Sequence, residues 1–307
     1  MMDDAAPGAR SPSTTVLPAR RAASPTIVCR VTLPVLTLAV MLGSGSIGAQ
    51  ETRTAFRPCI DPSNLPFANI KGEGFENRIA DLFAQQLGLP VKNYAFPQRM
   101  NFIRNTLRYK LPGEDFRCDV VMSVPAGYDQ VSVTTPYYRS TYALVYPKGK
   151  GLDEVRTGAD LVALPSDVRN KLKIGMYDKS PASAWVVKHG MEAQAKPYAM
   201  MSPDPEQYPG EIIEKDLAQG KIDVAIVWGP IAGYYAKRVR NVELAVIPLR
   251  SEPGVKFDYE IAMGVRYGEP EWKATVQKLI GDNQRAITTI LREYNVPLVN
   301  ERGEPID

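Results

Sequence analysis

Histidine is almost missing from this chain of 307 residues, which has only His189, and cysteine is scarce at three. With a single imidazole, any Ser-His-Asp or Cys-His arrangement would have to be built on that residue. Its place beside Gly190, in the last turn of an expected helix, suits a favourable charge at a helix C-terminus better than catalysis. There is no H-E-x-x-H, no C-x-x-C and no carboxylate series with calcium-loop spacing, so a metal site has no support. Charge of one sign is lacking too. Lysine and arginine number 37 against 34 Asp and Glu, for a formal net charge of +3, and no basic run marks a nucleic-acid surface. No apolar run is long enough to span a bilayer as a helix. Acid and base carboxylates that meet from distant positions leave no spacing signature, so an enzyme stays among the alternatives.

What is present starts with Arg10, Arg20, Arg21 and Arg30, then the mostly apolar stretch from Val31 to Leu42, then the small residues GSGSIGAQ. This order is that of a secretory signal peptide, expected over residues 1–49 with cleavage after Ala49, and it places the mature chain in the periplasm without stable membrane insertion. Gly43, Gly45 and Gly48 match G-x-G-x-x-G, but no acidic residue at the required distance and no βαβ unit follow, so a dinucleotide site is not expected. The segment takes four arginines with it against Asp3 and Asp4, leaving a nearly neutral chain. It also takes Cys29. Export favours a disulfide between the remaining Cys59 and Cys118. The expected strands argue the other way, since they offset the two cysteines along parallel neighbours beyond the usual Cα separation, and the pairing stays open.

Further on, Phe56 to Ile60 is expected as a strand. Phe75, Ile79, Leu82, Phe83 and Leu87 form one helical face stopped by Gly88. A strand from Val91 to Phe96, a helical face of Met100, Ile103 and Leu107, and the buried run from Asp119 to Val124 complete a β-α-β-α-β order. Tyr142 to Tyr146 reads as a strand whose tyrosines are core. A second α/β pattern follows: strand Leu172 to Met176, helix from Ser180 to Gly190, helix Glu211 to Gln219, strands Ile222 to Trp228 and Val242 to Leu249. A strand from Tyr259 to Tyr267 and a long helix from Trp272 to Leu291 close the chain. The expected fold is therefore α/β with two doubly wound lobes: residues 50–147 plus 252–307, and residues 148–251.

The segments CIDPSNLPFANIKGEGFE, QRMNFIRNTL, CDVVMSVPAGYD, TTPYYRSTYALVY and KIDVAIVWGPIAGYYAK resemble, in this order, type II periplasmic solute-binding proteins. More narrowly they resemble the XoxJ/MoxJ group encoded beside pyrroloquinoline-quinone (PQQ) methanol and alcohol dehydrogenases. The resemblance implies a clamshell fold and a non-catalytic, monomeric accessory protein without a cofactor of its own. It implies a role in maturing or activating a PQQ-dependent methanol or alcohol dehydrogenase, with that enzyme and its c-type cytochrome as partners. An importer-linked receptor for a small neutral or aromatic solute is the alternative. A clamshell enzyme such as a dehydratase, which would need a cleft carboxylate or lysine with a perturbed pKa, is the third.

In amino-acid-binding members of the wider family an arginine nine residues before the Pro of a Pro-Tyr clamps the ligand carboxylate; here that position, before Pro136, is Gly127. An aspartate five residues past the strand Asp binds the ligand ammonium; here, past Asp223, stands Trp228. Both anchors for a zwitterion are gone. The candidate cleft or partner-binding residues are Asp61, Asn64, Phe67, Tyr128, Asp129, Thr135, Tyr137, Tyr177 and Trp228, on loops where open α/β sheets bind ligands. Asp61 and Asn64 have an alternative role in holding turns. For Arg104 and Arg139, surface ion pairs are the expectation.

Overall fold

The computed structural model describes residues 53–98, 101–200 and 207–306, all within the unit Gln50–Asp307. The expected signal segment, Cys29, the glycine match at residues 43–48 and Met100 lie outside the described residues. The chain runs β1 (Pro58–Ile60), β2 (Ser63–Asn64), β3 (Ala68–Asn69), α1 (Phe75–Leu87), β4 (Tyr94–Ala95), α2 (Phe102–Asn105), β5 (Val120–Pro125), β6 (Ser132–Val133) and β7 (Tyr138–Pro147). It continues through α3 (Gly158–Val162), α4 (Ser166–Arg169), β8 (Ile174–Tyr177), α5 (Pro181–Lys188), β9 (Ala195–Tyr198), β10 (Val224–Trp228) and α6 (Gly229–Arg238). The last elements are β11 (Leu244–Pro248), β12 (Asp258–Val265), α7 (Pro270–Asp282) and α8 (Gln284–Glu293).

One sheet, in the order β4-β1-β5-β12-β7-β10-β8-β9, carries the fold, with β11 paired to β7 and β6 to β12. β1 is parallel to β4 and β5, and β8 is parallel to β9 and β10, as βαβ crossovers require. β7 joins the two parallel sets. Its residues Tyr138 to Thr141 pair antiparallel with β12, and Tyr142 to Pro147 pair with β10 and β11. A single strand thus passes from one half of the sheet to the other, between Thr141 and Tyr142.

Helix α1 shows how the sequence builds the first half. Phe75, Ile79 and Phe83 are fully buried along one face, and the Asn77 side chain accepts the Gly74 and Asn69 backbone N–H groups at 3.1 Å each. Gly88, with φ of 64°, ends the helix in the left-handed conformation that glycine adopts without strain. Gly74 has a different reason: a Cβ there would lie 2.0 Å from the Phe67 carbonyl oxygen, so only glycine lets the β3 loop close on the helix.

Several expected elements are shorter. The strand Val91 to Phe96 is reduced to β4 and an isolated bridge from Val91 to Phe56. Helix α2 spans one turn, and Leu107, buried beyond its end, belongs to the cluster around Cys59 and Cys118. The helix expected from Glu211 is a π-helical stretch, Ile212–Leu217, closed by Ala218 N–H donating to Ile213 O at 3.0 Å. The long C-terminal helix is interrupted at Asn283, whose Nδ2 donates to Leu279 O (2.7 Å) and Gln86 Oε1 (2.9 Å) and so ties the break to α1.

Cys59 and Cys118 are joined by a disulfide, with Cα atoms 5.3 Å apart. The expected offset does not keep them apart, because the chain ahead of β5 already runs along β1: Asp119 N–H donates to Arg57 O at 2.7 Å. Cys118 therefore lies beside β1 before the ladder begins.

Candidate functional site

A cavity of about 840 Å³ opens at the C-terminal ends of β1, β5, β8 and β10, drawing on both halves of the sheet. Chain exits at these ends are where open α/β sheets place ligands, since the loops there diverge. Asp61, in the loop after β1, and Asn64, in β2, line it together with Phe67; Tyr177 ends β8 and Trp228 ends β10 on other parts of the wall. Of the residues singled out from sequence, these five are brought together.

Asp61 also holds its loop: Oδ1 accepts Ser63 N–H at 2.8 Å and Oδ2 accepts Gln98 N–H. Asn64 Nδ2 donates to Gln98 Oε1 at 2.9 Å. Both residues therefore combine a turn-holding role with a place on the cavity wall. Tyr177 donates to Pro209 O at 2.7 Å, and burial raises its phenol pKa. The half-buried Trp228 packs against Tyr142 and Tyr259 with ring centroids 5.5 and 5.9 Å away.

The other four lie elsewhere. Tyr137 is 2% exposed in the core, its hydroxyl donating to Met122 O at 2.9 Å. Its neighbour Tyr138, whose ring packs 4.9 Å from that of Tyr137 in the same core cluster, borders the cavity instead. Tyr128 packs on the disulfide cluster. Asp129 and Thr135 are exposed in the β5–β6 and β6–β7 connections, where the Asp129 carbonyl accepts the Tyr267 hydroxyl at 2.9 Å. Tyr142, expected as core, lines the cavity, because it sits where β7 changes partners; Tyr146, on the same strand face, is buried and donates to Val155 O at 2.7 Å. Gly127 is exposed at φ 84° in the turn after β5, and no guanidinium stands there for a carboxylate. Arg139 pairs with Asp258 (2.6 Å) and Glu260 (2.9 Å). His189 bonds Glu252 Oε1 at 2.8 Å and packs at a tilt against Trp185, outside the cavity lining.

Sequence reading missed Glu76, the second residue of α1. It is 7% exposed and its carboxyl faces the cavity, where burial raises its pKa to about 7 against a lowering hydrogen bond from Ser123, with Asp61 adding a further upward push. Its position next to the apolar Phe75 carried no periodic signal, and only the packing of the first turn of α1 beside the cleft makes it part of the wall. Among the described residues the lining contains two carboxylates, Asp61 and Glu76, and neither lysine nor arginine. Among the described residues no group of three or more His, Cys, Asp or Glu could hold a metal ion, and no helix is long and apolar enough to cross a membrane.

Glu76 makes stability depend on pH. An acid whose folded pKa is raised binds its proton more tightly folded than unfolded, so its contribution is present below pH 4.5 and is lost as pH rises to 7. The expected fall is up to about 3 kcal/mol. Asp216, held below the usual carboxylate range chiefly by the Tyr198 hydroxyl, acts only at lower pH. Urea midpoints of the parent should therefore fall between pH 5.5 and pH 7.5, and Glu76→Gln should flatten that slope; an unchanged slope in the variant would assign it to other groups.

No protein-family model matches the chain. The structure superposes on the periplasmic binding protein XoxJ from Methylobacterium extorquens AM1 with a TM-score of 0.65 and 33% identity, covering 80% of this chain and 100% of that one. MxaJ from Methlophaga aminisulfidivorans MPT, at 21% identity and a TM-score of 0.67 over 80% of this chain and 100% of its own, shares the fold. Protein MoxJ of Paracoccus denitrificans is 26% identical over 261 residues, covering 80% of this chain and 90% of that protein.

Proposed function

Because the chain belongs to the family of periplasmic binding proteins that includes XoxJ, we propose that it is a non-catalytic periplasmic accessory protein of a PQQ-dependent methanol or alcohol dehydrogenase, assisting its maturation or activation. The reading rests on the match to XoxJ over the whole of that protein's length. The missing zwitterion anchors support it: Gly127 and Trp228 stand where an amino-acid receptor would place an arginine and an aspartate. The lobes would be residues 50–147 plus 252–307 and residues 148–251, hinged where β7 changes partners. The enzyme and its c-type cytochrome would be the partners, engaged through the loops around the cleft.

One observation favours a second reading. A cavity of about 840 Å³ lies within the size range of small-molecule pockets, not the oversized cleft expected of a protein that only holds an enzyme. An importer-linked receptor for a small solute would have such a pocket. Capture from the source periplasm on immobilised mature protein, with mass spectrometry of proteins and of small molecules released on denaturation, separates the two. Recovery of a quinoprotein dehydrogenase supports the accessory role; a stoichiometric solute without a protein partner supports the receptor and overturns the first reading.

Trp228→Ala is expected to keep a cooperative thermal transition, since the indole is only half buried, and to weaken capture of the partner or solute at least about tenfold, as loss of a central aromatic contact does. If the variant fails to fold, Trp228 is a core residue and its place in the binding wall is wrong.

A further inference from the structure

Three polar groups from three elements converge on one part of the cavity wall. They are the Glu76 carboxyl from α1, the Ser123 hydroxyl from β5 and the Tyr138 hydroxyl from β7. Glu76 and Tyr138 are each 7% exposed; the buried Tyr138 hydroxyl makes no hydrogen bond of good geometry and has as its neighbour Ser123, whose own hydroxyl bonds that of Tyr137 at 3.2 Å. A buried hydroxyl without a well-formed hydrogen bond and a carboxyl without a cation are both costly in a folded protein. A ligand that supplies the missing donors removes both costs at once.

The surroundings select the chemistry of that ligand. Asp61 faces the same space and no described lining residue is cationic, so an anion is repelled. The rings of Tyr142, Trp228 and Tyr259 pack as one cluster on the same wall, and aromatic faces attract cations as well as apolar bodies. An ammonium group carries three donors and no acceptor, enough for the carboxylate and the phenol oxygen together.

We propose that Glu76, Ser123 and Tyr138 form an ammonium-binding subsite, which holds a protonated primary amine whose apolar body lies against the Tyr142, Trp228 and Tyr259 rings. The subsite stands on the chemistry of the cleft and holds or fails whether or not a dehydrogenase is the partner. A free arylalkylamine and the lysine side chain of a partner protein offer the same group.

Binding is coupled to a proton. The groups facing the Glu76 carboxyl are Asp61 after β1, Ser123 on β5, and Tyr137 and Tyr138 on β7. With its pKa near 7, Glu76 is mostly protonated at pH 6.5, and an arriving ammonium drives it to ionise.

The test is isothermal titration calorimetry of the mature chain with 2-phenylethylamine, the neutral 2-phenylethanol and the anionic 3-phenylpropionate. The amine is expected to bind at least tenfold more tightly than the alcohol, and the propionate not at all. Titration in two buffers of different ionisation heat should show release of most of one proton at pH 6.5 and of none at pH 8.5. Glu76→Gln should lower amine affinity at least tenfold and abolish the proton release, with a smaller change in alcohol binding; Tyr138→Phe, which keeps the ring, should cost amine affinity about threefold. Equal affinity for amine and alcohol, or amine binding that survives Glu76→Gln, overturns the proposal. A blocked lysine-containing peptide run in parallel distinguishes the sources. Tighter binding of the peptide assigns the amine to a partner, tighter binding of phenylethylamine assigns it to a free solute, and binding of neither overturns the subsite.

Discussion

Replacing Asp119 with alanine is expected to lower the unfolding free energy by about 3–5 kcal/mol, the range for removing one partner from a buried ion cluster. Asp119 is fully buried at the start of β5, and three arginines converge on it. Arg57 donates through Nε to Oδ2 at 2.7 Å and through Nη2 to Oδ1 at 3.1 Å; Arg266 Nη2 donates to Oδ1 at 2.6 Å; Arg53 Nε lies 3.6 Å from Oδ2. Arg266 is itself 5% exposed, stacks over Phe116 at 4.1 Å and donates to the Leu107 and Cys118 carbonyls. Deleting the carboxylate leaves Arg266 and Arg53 with Glu269, 2.5 Å from Arg266 Nε and 2.7 Å from Arg53 Nη2, and leaves Arg57 with the more exposed Asp115 at 4.0 Å. The urea midpoint reports the loss. A cost under about 1 kcal/mol would mean that water reaches the arginines and that the cluster behaves as a surface pair. Because Asp119 enters β5 at the end opposite Ser123 and Pro125, ligand binding in the cleft should survive wherever the variant is still folded.

Loss of the Cys59–Cys118 bridge is expected to cost about 4 kcal/mol by the loop-closure argument, for a sequence separation of 59 residues. Both cysteines are buried among Ile103, Leu107, Val121, Val124 and Val131, so the double alanine variant also loses some packing. Cys59 lines the cavity, and Phe102 packs on the bridge while lining the cavity too, so the rim of the cleft should loosen along with the fold. Urea unfolding of the parent with and without reductant, beside the double variant, measures the effect. Equal midpoints for oxidised and reduced parent would show that the bridge contributes nothing to the native state.

Much of the fold was legible because its signals are local. The Phe75, Ile79 and Phe83 face with Gly88 behind it specified α1, and the apolar run into Val124 specified a buried parallel strand. The vacant anchor positions at Gly127 and Trp228 were read by counting along the pattern of the amino-acid-binding proteins that the chain resembles, and argued against an amino-acid receptor. The failures share one cause. Tyr137 and Tyr138 share one core cluster with their rings 4.9 Å apart, and nothing local says which of the two also borders the cavity. Tyr142 and Tyr146 share a face by spacing, and only the change of partners along β7 exposes one to the cleft and buries the other.

By itself, then, the sequence determined the α/β order and the resemblance to periplasmic binding proteins, and it singled out five residues, at the ends of strands or in the segment after β1, that border the cavity. Tertiary structure alone decided the Cys59–Cys118 pairing, the arginine cluster on Asp119 and the meeting of Glu76 with Tyr138. Periodicity records which face of its own element a residue occupies, but these contacts depend on where another element passes, and that is set only when the sheet is assembled.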